Sequence, residues 1–173
     1  MAARKQSPAK LIKLLPGYDP YLNADDYEFI PERAEPYIAF FRSHLIHIEG
    51  KVAGQPYMLE PHELAITYNL FGWYHRETGH RRYREALYFV PRKNSKSTYL
   101  AGLANAVMFC DNEARMQNYS LGADVLQAAI VRNIANAQIE ANPELMSRVK
   151  LYKTSRAIEL LADGSIYRAL TAD

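Results

Sequence analysis

The stretch Ala86-Leu87-Tyr88-Phe89-Val90-Pro91-Arg92-Lys93-Asn94-Ser95-Lys96-Ser97-Thr98 decides how this chain is read. Its first five residues form a continuous apolar run with charge before it and Pro91 after it, the pattern of a buried central strand. Residues 91–96 are polar and basic. Beyond them Leu100, Leu103, Ala104, Val107 and Met108 recur at helical spacing and predict an amphipathic helix over 97–109.

Strand, polar loop and helix is the order of a phosphate-binding loop. Against the pattern G-x-x-x-x-G-K-[ST], however, only Lys96 and Ser97 match, and Val90 and Ser95 stand where the glycines belong. The chemistry asks for consecutive backbone N–H groups facing a concavity, a helix amino terminus behind them and a lysine at the rim. All three are available. Lys96 would reach the β and γ phosphates, the Ser97 hydroxyl would ligate Mg²⁺, and Thr98 would support the α phosphate. Ser95 in place of glycine costs about 1 kcal/mol if the position needs a positive φ. From spacing alone, a basic turn between a strand and a helix explains the same residues.

Working outward, the 173 residues suit one domain of ordinary size, and 49% hydrophobic against 23% charged residues excludes disordered and membrane-embedded classes. No apolar run approaches the roughly 20 residues of a membrane helix. The amino terminus is basic through Arg4, Lys5, Lys10 and Lys13, but Lys13 breaks its apolar stretch before Pro16-Gly17, so it does not read as a secretory signal. The single cysteine, Cys110, makes no internal disulfide and reads as a small core residue. A cytoplasmic protein is the expectation. The net charge of +2 is too weak to announce a polyanionic partner, but Arg76, Arg81, Arg82, Arg84, Arg92, Lys93 and Lys96 cluster against only Glu77 and Glu85.

Residues 1–33, with Pro8, Pro16-Gly17, Pro20 and Pro31, read as an amino-terminal arm. Helices are predicted over 36–48 and 61–74. Asn118 to Leu121 fits a short strand, and Asp124 caps a helix with Leu126, Ile130, Ile134 and Ala137 on one face, ended by Asn142-Pro143. Ala162-Asp163-Gly164 between two alternating segments predicts a β-hairpin. His44 and His47, three apart on a predicted helix, are a possible metal pair with no third ligand in view, so they read as structural.

Several runs in order, Glu35-Pro36-Tyr37-Ile38-Ala39-Phe40-Phe41, His47-Ile48-Glu49-Gly50-Lys51-Val52-Ala53-Gly54-Gln55-Pro56-Tyr57-Met58-Leu59, Leu70-Phe71-Gly72-Trp73 and the loop itself, closely resemble the large terminase subunit of tailed bacteriophages and prophages. Ala123-Asp124-Val125-Leu126-Gln127-Ala128-Ala129 resembles that family's second strand and helix. The run Gly164-Ser165-Ile166-Tyr167-Arg168-Ala169-Leu170-Thr171-Ala172-Asp173 resembles the segment before its Walker B strand. The resemblance implies an α/β fold with a P-loop NTPase-type sheet and flanking helices, incomplete at the C-terminal side and preceded by a helical lead-in. Residues 34–173 would be a partial P-loop ATPase domain carrying the Walker A half.

The function it implies is the ATP-binding part of a motor that packages double-stranded viral DNA into capsids. ATP and Mg²⁺ are the implied cofactors, a small terminase subunit and the capsid portal the implied partners, and a homo-oligomer in the host cytoplasm the implied setting. Arg92, Lys93, Asn94, Ser95, Lys96, Ser97 and Thr98 inherit the phosphate and Mg²⁺ roles, with Lys96 and Arg92 stabilising charge on the transferred phosphoryl group. Arg81, Arg82 and Arg84 are candidates for DNA-backbone contact.

Where the family carries Leu-x-x-Trp-Gln, this chain has Leu59-Glu60-Pro61-His62-Glu63. An ionised Glu63 only accepts hydrogen bonds, whereas glutamine also donates, so adenine would be discriminated more weakly or by a different arrangement. Tyr57 and His62 are candidates for stacking on the base or for packing. The family places its Walker B aspartate, water-orienting carboxylate and nuclease domain beyond the matched segments, so this chain alone is expected not to hydrolyse ATP. A truncated, non-catalytic nucleotide-binding or interaction module is the alternative reading.

Overall fold

The computed structural model describes residues 6–111, 113–122, 124–152, 154–155 and 157–171. Arg4, Lys5, Ala123, Ala172 and Asp173 of the stretches quoted above lie outside the described residues. The described residues form two compact units, those within 1–39 and 58–89 and those within 40–57 and 90–173.

In the first unit, α1 (Pro8–Leu11) is followed by β1 (Tyr27–Phe29), a 3-10 turn (Pro31–Arg33), the opening of α2 (Glu35–His44), α3 (Pro61–Gly72) and β2 (Trp73–His75). β1 and β2 pair antiparallel, Phe29 opposite Trp73 and Tyr27 opposite His75. Aromatic rings make much of this core, with Tyr37 stacked on Phe71 at 3.9 Å between centroids and both buried. Asn69 ties the unit together. Its amide donates to the carbonyls of Ile12 and Ala65 at 3.0 and 2.9 Å, and its oxygen accepts from the Trp73 indole at 3.2 Å. A buried amide so engaged does not carry the penalty of an unpaired polar group. Through Ile12, fully buried, residues of the predicted arm pack into this unit.

The second unit holds the end of α2, then α4 (Lys96–Cys110), β3 (Gln117–Gly122), α5 (Val125–Glu140), α6 (Pro143–Ser147), β4 (Val149–Tyr152), β5 (Ala157–Leu160) and β6 (Ile166–Thr171). The fold is mixed α/β. Its four-stranded sheet runs β3-β6-β5-β4, with β3 parallel to β6 and the other neighbours antiparallel. The predicted hairpin is β5-β6. Gly164 takes φ 74° at its turn, and the Asp163 carboxylate accepts from the Ser165 N–H at 2.8 Å. Asp124 caps α5 as expected, accepting from the Gln127 N–H at 2.9 Å. Where β3 meets the first turn of α5, a Cβ on Gly122 would lie 2.3 Å from the Ala128 nitrogen, so only glycine fits there.

Three expectations are corrected. Residues 86–90 are not a buried strand, since they carry no ladder and leave Leu87 and Phe89 93% and 91% exposed. An apolar run becomes a strand only where neighbours supply ladder partners, and β3 to β6 pair among themselves. After its polar first turn, α4 is not divided into one apolar and one polar face, its only later polar side chain, Asn105, being buried. Tyr99, Ala101, Gly102, Ala106 and Met108 are buried, whereas Leu100, Leu103, Ala104 and Val107 line an apolar groove of about 380 Å³ with β3 and Tyr167. On α5 the buried residues are Ala128, Ala129, Arg132, Ala135, Gln138 and Ile139, whereas of the predicted stripe Leu126 and Ile130 are exposed and Ile134 and Ala137 half-buried.

Cys110 ends α4, half-buried. Burial chiefly, with the negative Asp111 beside it and against the opposing Arg148, pushes its thiol up to about 11 from 9.0. A folded-state pKa above the unfolded one means that the neutral thiol stabilises the fold below pH 9, and that this contribution is lost as pH rises from about 9 to about 11. Alkylation by iodoacetamide at pH 8.5 is therefore expected to run several-fold slower in the native chain than in urea. Equal rates would contradict it.

Candidate functional site

The loop before α4 is held in two left-handed turns of backbone, Lys93 at φ 68° and Ser95 at φ 48°. The Asn94 amide folds back to donate to the Pro91 carbonyl at 3.3 Å, and the Tyr99 N–H opens the helix by donating to the Ser95 carbonyl at 2.8 Å. The amides of Ser95, Lys96, Ser97 and Thr98 thus precede the first intrahelical bond, and Ser95 makes no side-chain cap. These are the donors that an anion at a helix amino terminus accepts from. α4 itself is fixed from behind. Tyr99 is buried and stacks on Phe41 at 5.8 Å, and the buried Gln138 of α5 donates to the Thr98 carbonyl at 3.5 Å while accepting from Asn105 at 3.2 Å.

The loop opens on a cleft of about 560 Å³ lined by Pro91, Arg92, Lys93, Ser95, Lys96, Ser97 and Thr98, with Glu49 from one side and Ile130, Asn133 and Ile134 of α5 from the other. The sequence candidates Arg92, Lys93, Ser95, Lys96, Ser97 and Thr98 are therefore brought together, and Asn94 braces the loop. Three exposed cations and four uncapped amides suit a polyphosphate, and the Ser97 hydroxyl is a hard oxygen donor of the kind Mg²⁺ prefers. The left-handed φ at Ser95 is a position where a Cβ is strained. Ser95→Gly is expected to raise stability by up to about 1 kcal/mol, seen as a higher urea midpoint. A lowered midpoint would mean that the serine side chain carries an interaction outweighing that strain.

Glu63 lies in the first unit, buried at the third position of α3, where its carboxylate accepts from the Glu60 N–H at 2.9 Å in a capping box. His62 stacks on Tyr88 and its Nε2 lies 3.2 Å from the tyrosine hydroxyl. Burial, and then the negative Glu63, raise the Tyr88 pKa. Tyr57 is buried edge-on to Phe41 at 5.2 Å, a packing residue.

Of the arginine candidates, Arg82 is a clamp within its own unit. Its guanidinium donates to the carbonyls of Pro20, Leu22 and Asn23 and lies 5.3 Å from the Trp73 ring centroid. Arg81 lies over Phe71 at 5.3 Å, and Arg84 is exposed beside His80 and Tyr83. Among the described residues no group of three metal-ligating side chains forms, and His44 instead faces Glu144 at 3.9 Å. The sequence reading missed Glu49 and Asn133, and gave Ile130 and Ile134 no part in the cleft. Ile130 and Ile134 were visible as a helical stripe, but which way it faced was not.

Residues 61–173 match the family described as terminase large subunit, ATPase domain. A terminase large subunit of Enterobacteria phage HK97 is 30% identical over 144 residues, 82% of this chain and 27% of that protein. The crystal structure of the HK97 bacteriophage large terminase aligns with a TM-score of 0.69 at 26% identity, over 82% of this chain and 28% of the other. The chain thus spans little more than a quarter of the relatives it matches.

Proposed function

The chain belongs to the terminase large subunit ATPase-domain family, and on that premise we propose that it is the ATP-binding portion of a motor that packages viral DNA. The observation that carries this reading is the loop 91–98, a left-handed turn at Ser95 that leaves four amides and three cations around one cleft at the start of α4. The departure from a glycine-rich loop is compensated by charge. Lys96 neutralises the β and γ phosphates, Arg92 and Lys93 add positive charge at the entrance, and the amides of Ser95 to Thr98 orient the chain of phosphates. Ser97 would hold Mg²⁺, which supplies charge neutralisation across the phosphates.

Glu63 keeps the place of the family's adenine-reading glutamine as a proposal, with acceptor oxygens only and one of them engaged by Glu60. In the whole motor the proposed partners are double-stranded viral DNA, a small terminase subunit and a capsid portal, in a homo-oligomer in the bacterial host cytoplasm. No described helix is long and apolar enough to cross a membrane. Calorimetric titration with Mg-ATP tests the shared premise. Saturable binding that inorganic tripolyphosphate competes away is expected, and absence of binding to the folded chain would overturn it.

A further inference from the structure

We propose that Glu49 is a specificity-determining residue that accepts hydrogen bonds from the ribose hydroxyls of the bound nucleotide, with Ile130 and Ile134 as the apolar wall beneath the nucleoside. This rests on the nucleotide reading of the cleft. Glu49 is the one carboxylate among the described residues lining that cleft, facing the basic loop. Its position is built, because it sits in a hairpin where the His47 N–H donates to the Gln55 carbonyl at 2.9 Å and the Gly54 N–H to the His47 carbonyl at 2.8 Å, and Gly50 after it takes φ 80°.

A carboxylate there has no use for phosphates, which carry the same charge and only acceptors. In ATP it can accept from the sugar hydroxyls or from the amino group of the base, and the vicinal hydroxyl pair of the sugar matches its two oxygens. No ion pair joins Glu49 to Arg92, Lys93 or Lys96 among the described residues, so it is not spent as their counter-ion. The α5 wall points the same way. Ile130 is 48% exposed beside the charged loop, apolar surface that a sugar and base would cover.

The test is Mg-ATP, Mg-2′-deoxy-ATP and tripolyphosphate titrated against the wild-type chain, Glu49→Ala and, as control, Lys96→Ala. Glu49 is exposed, so its removal should leave the melting temperature unchanged. The wild type is expected to prefer ATP over 2′-deoxy-ATP about tenfold, and Glu49→Ala to abolish that preference by weakening ATP about tenfold more than 2′-deoxy-ATP, which keeps only its 3′ hydroxyl, while leaving tripolyphosphate in place. Glu49→Ala that preserves the preference, or that tightens every ligand alike as removal of a repelling charge would, overturns the ribose assignment while loss of binding in Lys96→Ala upholds the nucleotide reading. If Lys96→Ala binds as the wild type does, the nucleotide reading itself fails and the ribose contact falls with it.

Discussion

Replacing Lys96 by alanine is expected to raise the dissociation constant for Mg-ATP about 100-fold, with the melting temperature unchanged. The side chain is exposed at the rim of the cleft and makes no ion pair among the described residues, so the fold does not depend on it. A polyphosphate brought to four uncapped amides loses, in the variant, its one cation at the helix start. Truncating one member of a ligand-engaged charge pair costs about 2–5 kcal/mol, and an exposed site belongs at the lower half of that range. Arginine is not an equivalent substitute, because a planar fork replaces a compact ammonium where the loop closes around phosphate. Lys96→Arg should therefore recover only part of the affinity. Lys93→Ala, at the entrance, should cost less than tenfold, since Arg92 remains there. Calorimetry at fixed ionic strength reads all three, and equal affinities for wild type and Lys96→Ala would remove the phosphate site from this loop.

The parts of the fold that could be read in the sequence are those whose signals are local. Asp124 three residues before Gln127 specifies a cap, and Asp163-Gly164 between alternating segments specifies a turn. Both depend on contacts within a few residues. That the loop residues 91–98 gather at the start of a helix was legible for the same reason. Residues 86–90 show the limit, because composition marks an apolar run but ladder partners decide whether it is a strand, and those partners are distant in sequence. Arg82 shows another. An arginine between arginines reads as surface charge, and only the fold reveals carbonyls of Pro20 and Leu22 within reach of its guanidinium. Glu49 stood within the run 47–59 that resembles the family, but nothing in that run gave it a role. It reaches the cleft because a hairpin over 46–56 carries it there, and nothing in a window around it encodes the distance to Lys96.

The second large effect is expected in the packing that fixes the loop's helix. Gly102 sits in the middle of α4, where glycine costs about 1 kcal/mol relative to alanine. The structure supplies the reason for it. A Cβ there would lie 2.4 and 2.8 Å from ring carbons of Phe41 and 3.0 Å from the Leu45 side chain. Phe41 in turn is fully buried, edge-on to Tyr57 and stacked with Tyr99, the residue whose N–H makes the first helical bond after the loop. Phe41→Ala should therefore cost about 3–5 kcal/mol of stability. Gly102→Val, which drives two methyl groups into the ring, should be comparably damaging through overpacking and should weaken Mg-ATP binding as α4 shifts. Urea unfolding followed by circular dichroism measures both. The discriminating variant is Phe41→Leu combined with Gly102→Ala. If the ring and the missing Cβ share one space, the smaller side chain makes room for the methyl, and the double variant is more stable than the sum of its singles. Strict additivity would mean that Gly102 is required for a reason other than its approach to Phe41.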